Sequence, residues 1–430
     1  MGGNAITLVS SSKYVEAGKI YNISRSAAAA VIDLSMVDCA GNARASQWTA
    51  NCYMAHTAGD YKLPLVYGNA IKDGATNAAA YTGVTGNSNA METFPRHDGN
   101  AITAPWIKDN DTTVTSAELL WQDAEGLVTA VDIDGDYLTL TVGKDATTQE
   151  GNAVVAAKDG DGNIVWSWHI WVTKQTFAEA DLTTITTTDD TSTGTQGTDW
   201  HTYKVTPVNL GWVGDPVSQG YGTYYQWGRK DAFKGTGAPA DANVYDISGS
   251  TVTGFTYYNS TEATIADNIK NPTTFYFVSS NPSTARYYNM WDARQTSADN
   301  IVTATVKTVY DPSPAGFCVP TGNLWCYMAN GTYSTDGRSD SNWDSANKGK
   351  TWSATTYSST TTGSDLFFPA SGVRGSSSGS LINVGSSSYY WSASANTDRS
   401  GRYLYFYSRN WVWRSNNRAY GNPVRAVAEE

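Results

Sequence analysis

GNAVVAAKDGDGNIVWSWHIWVTK, residues 151–174, reads as two β-strands folded back on each other. The run Asp159-Gly160-Asp161-Gly162 supplies the turn, because glycine takes a positive φ without steric cost and aspartate caps a turn with its own side chain. In the second strand Val165, Ser167, His169 and Trp171 alternate with Trp166, Trp168 and Ile170, a pattern for a strand covered on both faces. Asp159, Asp161 and Asn163 also mimic the first half of a calcium loop, but the later bidentate glutamate is missing, so the plain turn is the reading adopted. His169 inside the apolar strand reads as a hydrogen-bonded core histidine.

Working outward, further β-type runs lie at 5–9 (AITLV), 19–23 (KIYNI), 127–134 (LVTAVDID) and 137–142 (YLTLTV), the last two joined by Gly135-Asp136. Together they predict one or two all-β, immunoglobulin-like sandwich modules over residues 1–178. ADLTTITTTDDTSTGTQGTD (180–199) is rich in Thr, Asp and Gly without apolar periodicity, and reads as a linker spanning 179–200. Residues 201–430 form the second expected domain. Two helices are predicted there, at 260–272 with Thr261 as N-cap and Pro272 as stop, and at 320–331 after Pro320-Thr321. The remainder is short strands and long Ser/Gly/Asn loops, a composition that needs aromatic anchors to hold together.

Bulk composition narrows the function classes. The 430 residues include 16 Trp, 27 Tyr and 10 Phe but only 16% charged residues, which argues against disorder. Net charge is −11, and this acidic bulk argues against a dedicated nucleic-acid partner. The last 80 residues differ: from Thr351 onward there are seven Arg, no Lys and four acidic residues. Cys39/Cys52 and Cys318/Cys326 are either two disulfides or four buried thiols. Histidine occurs at 56, 97, 169 and 201 in no metal-binding spacing, so neither a metal nor a cofactor is expected. No GxSxG, HExxH, P-loop or GxGxxG-plus-acid unit occurs, and the chain is expected not to be an enzyme; a glycosidase carboxylate pair is the one catalytic alternative. The opening MGGNAITLVSSSKYVEAG lacks the basic start and apolar centre of a secretory signal, and no apolar run is long enough to insert in a membrane.

RYLYFYSRNWVWRSNNRAYGNPVRAV (402–427) raises the question of contact with something outside. As a strand, Tyr403, Tyr405 and Tyr407 project to one face and Leu404 and Phe406 to the other. If the strand runs on through 408–410, Arg409, Trp411 and Trp413 extend the tyrosine face and Val412 lies on the core side. If those residues turn, the pattern changes. Tyr, Trp and Arg recur as interface hot spots because they bring large contact area and hydrogen-bond donors at modest entropic cost. The candidate ligand-binding residues are therefore Tyr403, Tyr405, Tyr407, Arg409, Trp411 and Trp413, with Arg399, Arg402, Arg414 and Asn416 as a polar rim. Trp391, Phe406 and Tyr420 read as structural anchors.

Seven segments, in order, carry a family resemblance: VNLGWVGDP (208–216), GTYYQWGRKDAF (222–233), NIKNPTTFYF (268–277), DPSPAGFCVPT (311–321), FFPASGVRG (367–375), NVGSSSYYWSASA (383–395) and YGNPVRAV (420–427). As a set they resemble the Fibrobacter succinogenes major paralogous domain family of Bacteroidetes surface proteins. The resemblance implies an α+β C-type-lectin-like fold over 201–430, and residues 48–70 are similar to the immunoglobulin-like region preceding such domains in gut Bacteroides proteins. A Tyr/Ser/Asn/Arg-dense end also resembles the variable proteins of diversity-generating retroelements, implying a variable segment at about 389–420. Glu-Pro-Asn and Gln-Pro-Asp signatures are absent, which puts calcium-mediated sugar binding in doubt. The resemblance implies a cell-surface, extracellular or phage-virion protein that binds a protein or glycan on another cell or virion, as an adhesin or receptor-binding protein. The alternative is a structural surface or pilus subunit that uses the aromatic face for assembly.

Overall fold

The computed structural model describes residues 30–190, 196–214, 222–235, 244–259, 263–277, 287–298, 305–329, 338–339, 341–353 and 365–430. The runs at 5–9 and 19–23 lie outside them, as does Thr261. Residues 151–174 form the expected hairpin, with Gly151–Asp159 antiparallel to Ile164–Val172. The Asp159 carboxylate accepts from the backbone amides of Asp161 and Asn163 at 3.0 and 2.8 Å, and Gly162 takes φ +83°. The acidic run is thus a self-capped turn. Both faces of the second strand are covered, with Trp166, Trp168 and Trp171 all buried. His169 is a core residue whose Nε2 lies 2.9 Å from Asn152 Oδ1, and burial pulls its pKa down to about 3.

The chain is mostly β, in several separate sheets, with two short α-helices among the described residues. The hairpin lies between Val114–Gln122 and the edge strand Cys52–Ala55 in a six-stranded sheet. A four-stranded sheet of Ile32–Asp33, Gly59–Pro64, Tyr137–Val142 and Val128–Asp134 contributes to the same hydrophobic core.

The stretch expected to be a linker is instead a hairpin. Thr183–Asp190 pairs with Gln196–Val205, and the sheet continues through Val427–Ala428 to Phe317–Cys318. Ile185 and Thr187 are fully buried while Thr184 and Thr186 are partly exposed, a period of two. Threonine is β-branched and suits a strand, and counting it as a polar loop residue conceals the alternation.

The two expected domains pack against each other. Val31–Glu430 packs as one compact unit. Asn51 Nδ2 donates to the carbonyls of Val309 and Asp311 at 2.6 and 2.8 Å, and Trp166 stacks on Tyr310 with centroids 6.1 Å apart. Val244–Tyr245 joins the edge of the six-stranded sheet beside Gln122. The four cysteines are buried thiols outside any disulfide, and burial pushes the Cys39 thiol up to about 12.

A second core gathers Leu324, Trp325, Trp352, Phe368, Tyr390, Leu404, Phe406, Trp411 and Trp413. Gly322–Met328, the second expected helix, lies in it. The first helix runs Ile265–Lys270 and starts from Thr264. Thr264 Oγ1 accepts from Asp267 N at 3.1 Å, and the Asp267 carboxylate returns the favour to Thr264 N at 2.8 Å. This reciprocal cap fixes the start of the helix at Thr264. Near the chain end, Gly421–Pro423 pairs with Tyr224–Gln226. The fully buried Arg425 beside it donates to Asn209 Oδ1 at 2.9 Å and to the carbonyls of Pro207 and Phe367 at 2.6 and 2.8 Å.

Candidate functional site

Residues 387–417 form one antiparallel three-stranded sheet: Ser387–Thr397, Ser400–Tyr407 and Trp411–Asn417. Its first two strands pair Tyr389 with Tyr405 and Trp391 with Tyr403. Its last two pair Phe406 with Trp411, Tyr405 with Val412, Leu404 with Trp413 and Tyr403 with Arg414. Directly paired residues project to the same side, so these registers assign every side chain to a face.

Residues 408–410 turn rather than continue, with Tyr407 N donating to Asn410 O at 3.2 Å. The turn swaps odd and even positions between the strands it joins. Trp411 and Trp413 therefore lie with Leu404 and Phe406 in the second core, both fully buried, and do not extend the tyrosine face. Val412 takes their place beside Tyr405 and is itself buried. Arg402 is also withdrawn from the expected rim: it is 5% exposed, and its guanidinium lies 5.5 Å from the Trp413 ring centroid.

The tyrosine face divides along its length. At one end Tyr403 is 4% exposed and meets Trp391 edge-to-face at 5.8 Å, inside the first core. Gly401 lies under Trp227 so closely that a Cβ there would sit 2.4 Å from the indole. Trp227 and Trp391 donate to the Ser392 and Tyr225 carbonyls at 2.9 and 2.8 Å, which locks this end. Arg418, stacked 4.0 Å over Trp227, donates to Tyr287 and Thr397 carbonyls and belongs to the same seal.

The other end is partly exposed. Tyr389 nests between Tyr403 and Tyr405 at 5.6 and 4.9 Å, and Tyr405 lies 5.7 Å from Tyr407. The rings tilt by 32° to 44° with respect to one another, and the Arg414 guanidinium lies 5.4 Å from the Tyr405 ring centroid. Partial burial, and then the neighbouring Tyr389, raise the Tyr405 phenol above its usual range, against the pull of Arg414. Asn383 Nδ2 donates to the Tyr389 hydroxyl at 3.0 Å.

Of the candidate residues, the structure brings together Tyr405, Tyr407 and Arg414, with the exposed Arg409 in the turn beyond Tyr407. Asn416 is on the same face but pairs with Gly401, towards the closed end. Arg399 is exposed at the tip of the first hairpin, 3.9 Å from Asp398. Tyr389 and Asn383 are additions that sequence reasoning missed. The signal was present: in SSYYWSASA, Tyr389 alternates with the buried Tyr390 as Tyr405 does with Leu404.

The sheet offers aromatic area, phenol hydroxyls and guanidinium donors, a chemistry of contact. Among the described residues, no group of three His, Cys, Asp or Glu side chains could hold a metal ion, and no helix is long and apolar enough to cross a membrane. The chain matches no protein-family model, no curated protein and no solved structure.

Proposed function

We propose that this chain is a non-enzymatic ligand-binding surface protein, an adhesin or receptor-binding protein, whose contact site is the open end of the terminal sheet. Tyr389, Tyr405, Tyr407 and Arg414 form its centre and Arg409 its margin. The observation that carries the reading is the division of one short sheet into a sealed face and a half-exposed tyrosine ladder. Packing from behind orders the ladder before any partner arrives, which lowers the entropic cost of binding.

The same division fits a finer reading: a C-type-lectin-like domain with a retroelement-diversified segment, preceded by an immunoglobulin-like region. An asparagine codon changed only at its adenines does not yield tryptophan. Trp391, Trp411 and Trp413, all buried, sit where fixed scaffold residues belong, whereas Tyr405, Tyr407 and Arg409 reach the surface. Motifs far apart in sequence also meet, as where Arg425 joins Asn209 and Phe367.

The test is a double substitution, Tyr405→Ala with Tyr407→Ala, assayed on arrays of extracellular proteins and glycans beside wild type. Binders of the wild-type chain should be lost by the variant while its melting temperature stays close to wild type. Loss of a concentration-dependent self-association, in place of loss of an external binder, would transfer the face to subunit assembly.

A further inference from the structure

Among the described residues, the exposed charges beside the open end of the tyrosine ladder are cationic. Residues 387–417 contain four arginines and a single carboxylate, Asp398, which lies beside Arg399 at the far hairpin tip. On the ladder face itself the paired positions are Ser387, Tyr389 and Trp391, then Tyr403, Tyr405 and Tyr407, then Val412, Arg414 and Asn416, with no acidic residue. Arg414 stands over Tyr405, and Arg409 is exposed in the turn after Tyr407. A third cation, the exposed Lys348, passes beside Gly385, where a Cβ would lie 3.9 Å from its Cγ. Gly385 is two residues from Asn383, the partner of Tyr389. The carboxylate of the Lys348 hairpin, Asp344, is used internally: it accepts from the amides of Ala346 and Asn347, both at 2.9 Å, and from Asn347 Nδ2 at 2.6 Å. A cationic margin around an aromatic centre thus stands on a chain whose net charge is −11.

Resting on the function proposed above, we infer that the open end of the terminal sheet docks an acidic segment of a protein partner, with carboxylates on Arg414, Arg409 and Lys348 and apolar side chains between the tyrosines. Guanidinium groups favour carboxylates because their paired N–H donors match two oxygens at once. The corrugation of the ladder favours a polypeptide over a sugar. Rings inclined by 32° to 44° present ridges and furrows rather than a flat stacking platform. Tyr405 and Tyr407 recur roughly every 7 Å along their strand, the repeat of alternate side chains in an extended peptide.

The experiment selects a displayed random-peptide library on the full chain and screens sialylated and sulfated glycans in parallel. Recovered peptides should be enriched in Asp and Glu over the starting library. They should bind Arg414→Glu about tenfold more weakly or worse, a large and easily read change. Arg409→Glu, on an exposed turn, should weaken the same peptides without altering the melting temperature. The inference is overturned if tyrosine-dependent peptides come out neutral or basic, or if both charge reversals leave binding unchanged. Tyrosine-dependent binding of anionic glycans without peptides overturns it in favour of a sugar partner. If recovered binders ignore Tyr405→Ala with Tyr407→Ala, the contact site itself is elsewhere and the underlying function is what fails.

Discussion

The two faces of the terminal sheet are made of similar residues put to opposite uses. Leu404, Phe406, Trp411 and Trp413 on one side are fully buried, and Phe406 and Trp411 touch with centroids 4.9 Å apart. Tyr389, Tyr405 and Tyr407 on the other side are equally aromatic yet remain partly exposed. Aromatic density therefore does not mark a binding face. What separates the faces is the parity of the turn at 408–410, which decides whose ring points where; the phenol hydroxyl alone does not, since Tyr390 is fully buried on the core side.

The comparison breaks most visibly at Trp413. Trp413→Ala should cost about 3–5 kcal/mol of stability, as large-to-small core changes do, read as a lower urea midpoint. A cost below about 1 kcal/mol would place Trp413 on the surface after all. Next comes the pair Tyr405→Ala and Tyr407→Ala, which should remove about 2 kcal/mol or more from binding while costing roughly 1 kcal/mol of stability. Equal losses in both measurements would erase the distinction between the faces. Gly401→Ala probes the sealed end: its new methyl must displace Trp227, so stability should fall by about 1–3 kcal/mol. The open end should keep its binders, since Tyr405 and Tyr407 do not touch that site.

The smallest effect is alkaline. Burial raises the Tyr390 phenol above its ordinary range, and partial burial does the same to Tyr405. The folded chain then holds these protons longer than the unfolded chain, so stability falls as pH rises past about 10. Tyr390→Phe should flatten that fall, while costing about 1 kcal/mol at neutral pH through the lost bonds with Asn209 and the Pro369 carbonyl. Tyr405→Phe should flatten it less. Denaturant titrations at pH 8 and pH 11 order the two faces, and the reverse order would contradict the burial pattern.

Local chemistry was legible in the sequence; long-range register was not. The Asp159–Asn163 turn could be read because its cap and its glycines are neighbours. The start of the first helix was legible to within three residues, and Thr264 with Asp267 spells a cap that Thr261 does not. The 183–205 hairpin was hidden because threonine serves strands and loops alike. Trp411 and Trp413 were misplaced because SRN at 408–410 suits a turn and a strand alike, and one change of parity moves every later side chain to the other face. No local signal shows that Arg425 would thread among carbonyls contributed more than fifty residues away.

That closing segment sets a timetable. Gly421–Pro423 completes a sheet begun at Tyr224, and Val427–Ala428 sits between strands from Gln196–Val205 and Phe317–Cys318. A growing chain cannot close the first sheet until residue 423 has left the ribosome, nor the second until residue 428 has, however early the other strands emerge. Pairings this distant in sequence form slowly and leave edges open meanwhile. The sheet at 387–417 is therefore synthesised before both of these closing strands, and its half-exposed tyrosines must remain soluble while it waits.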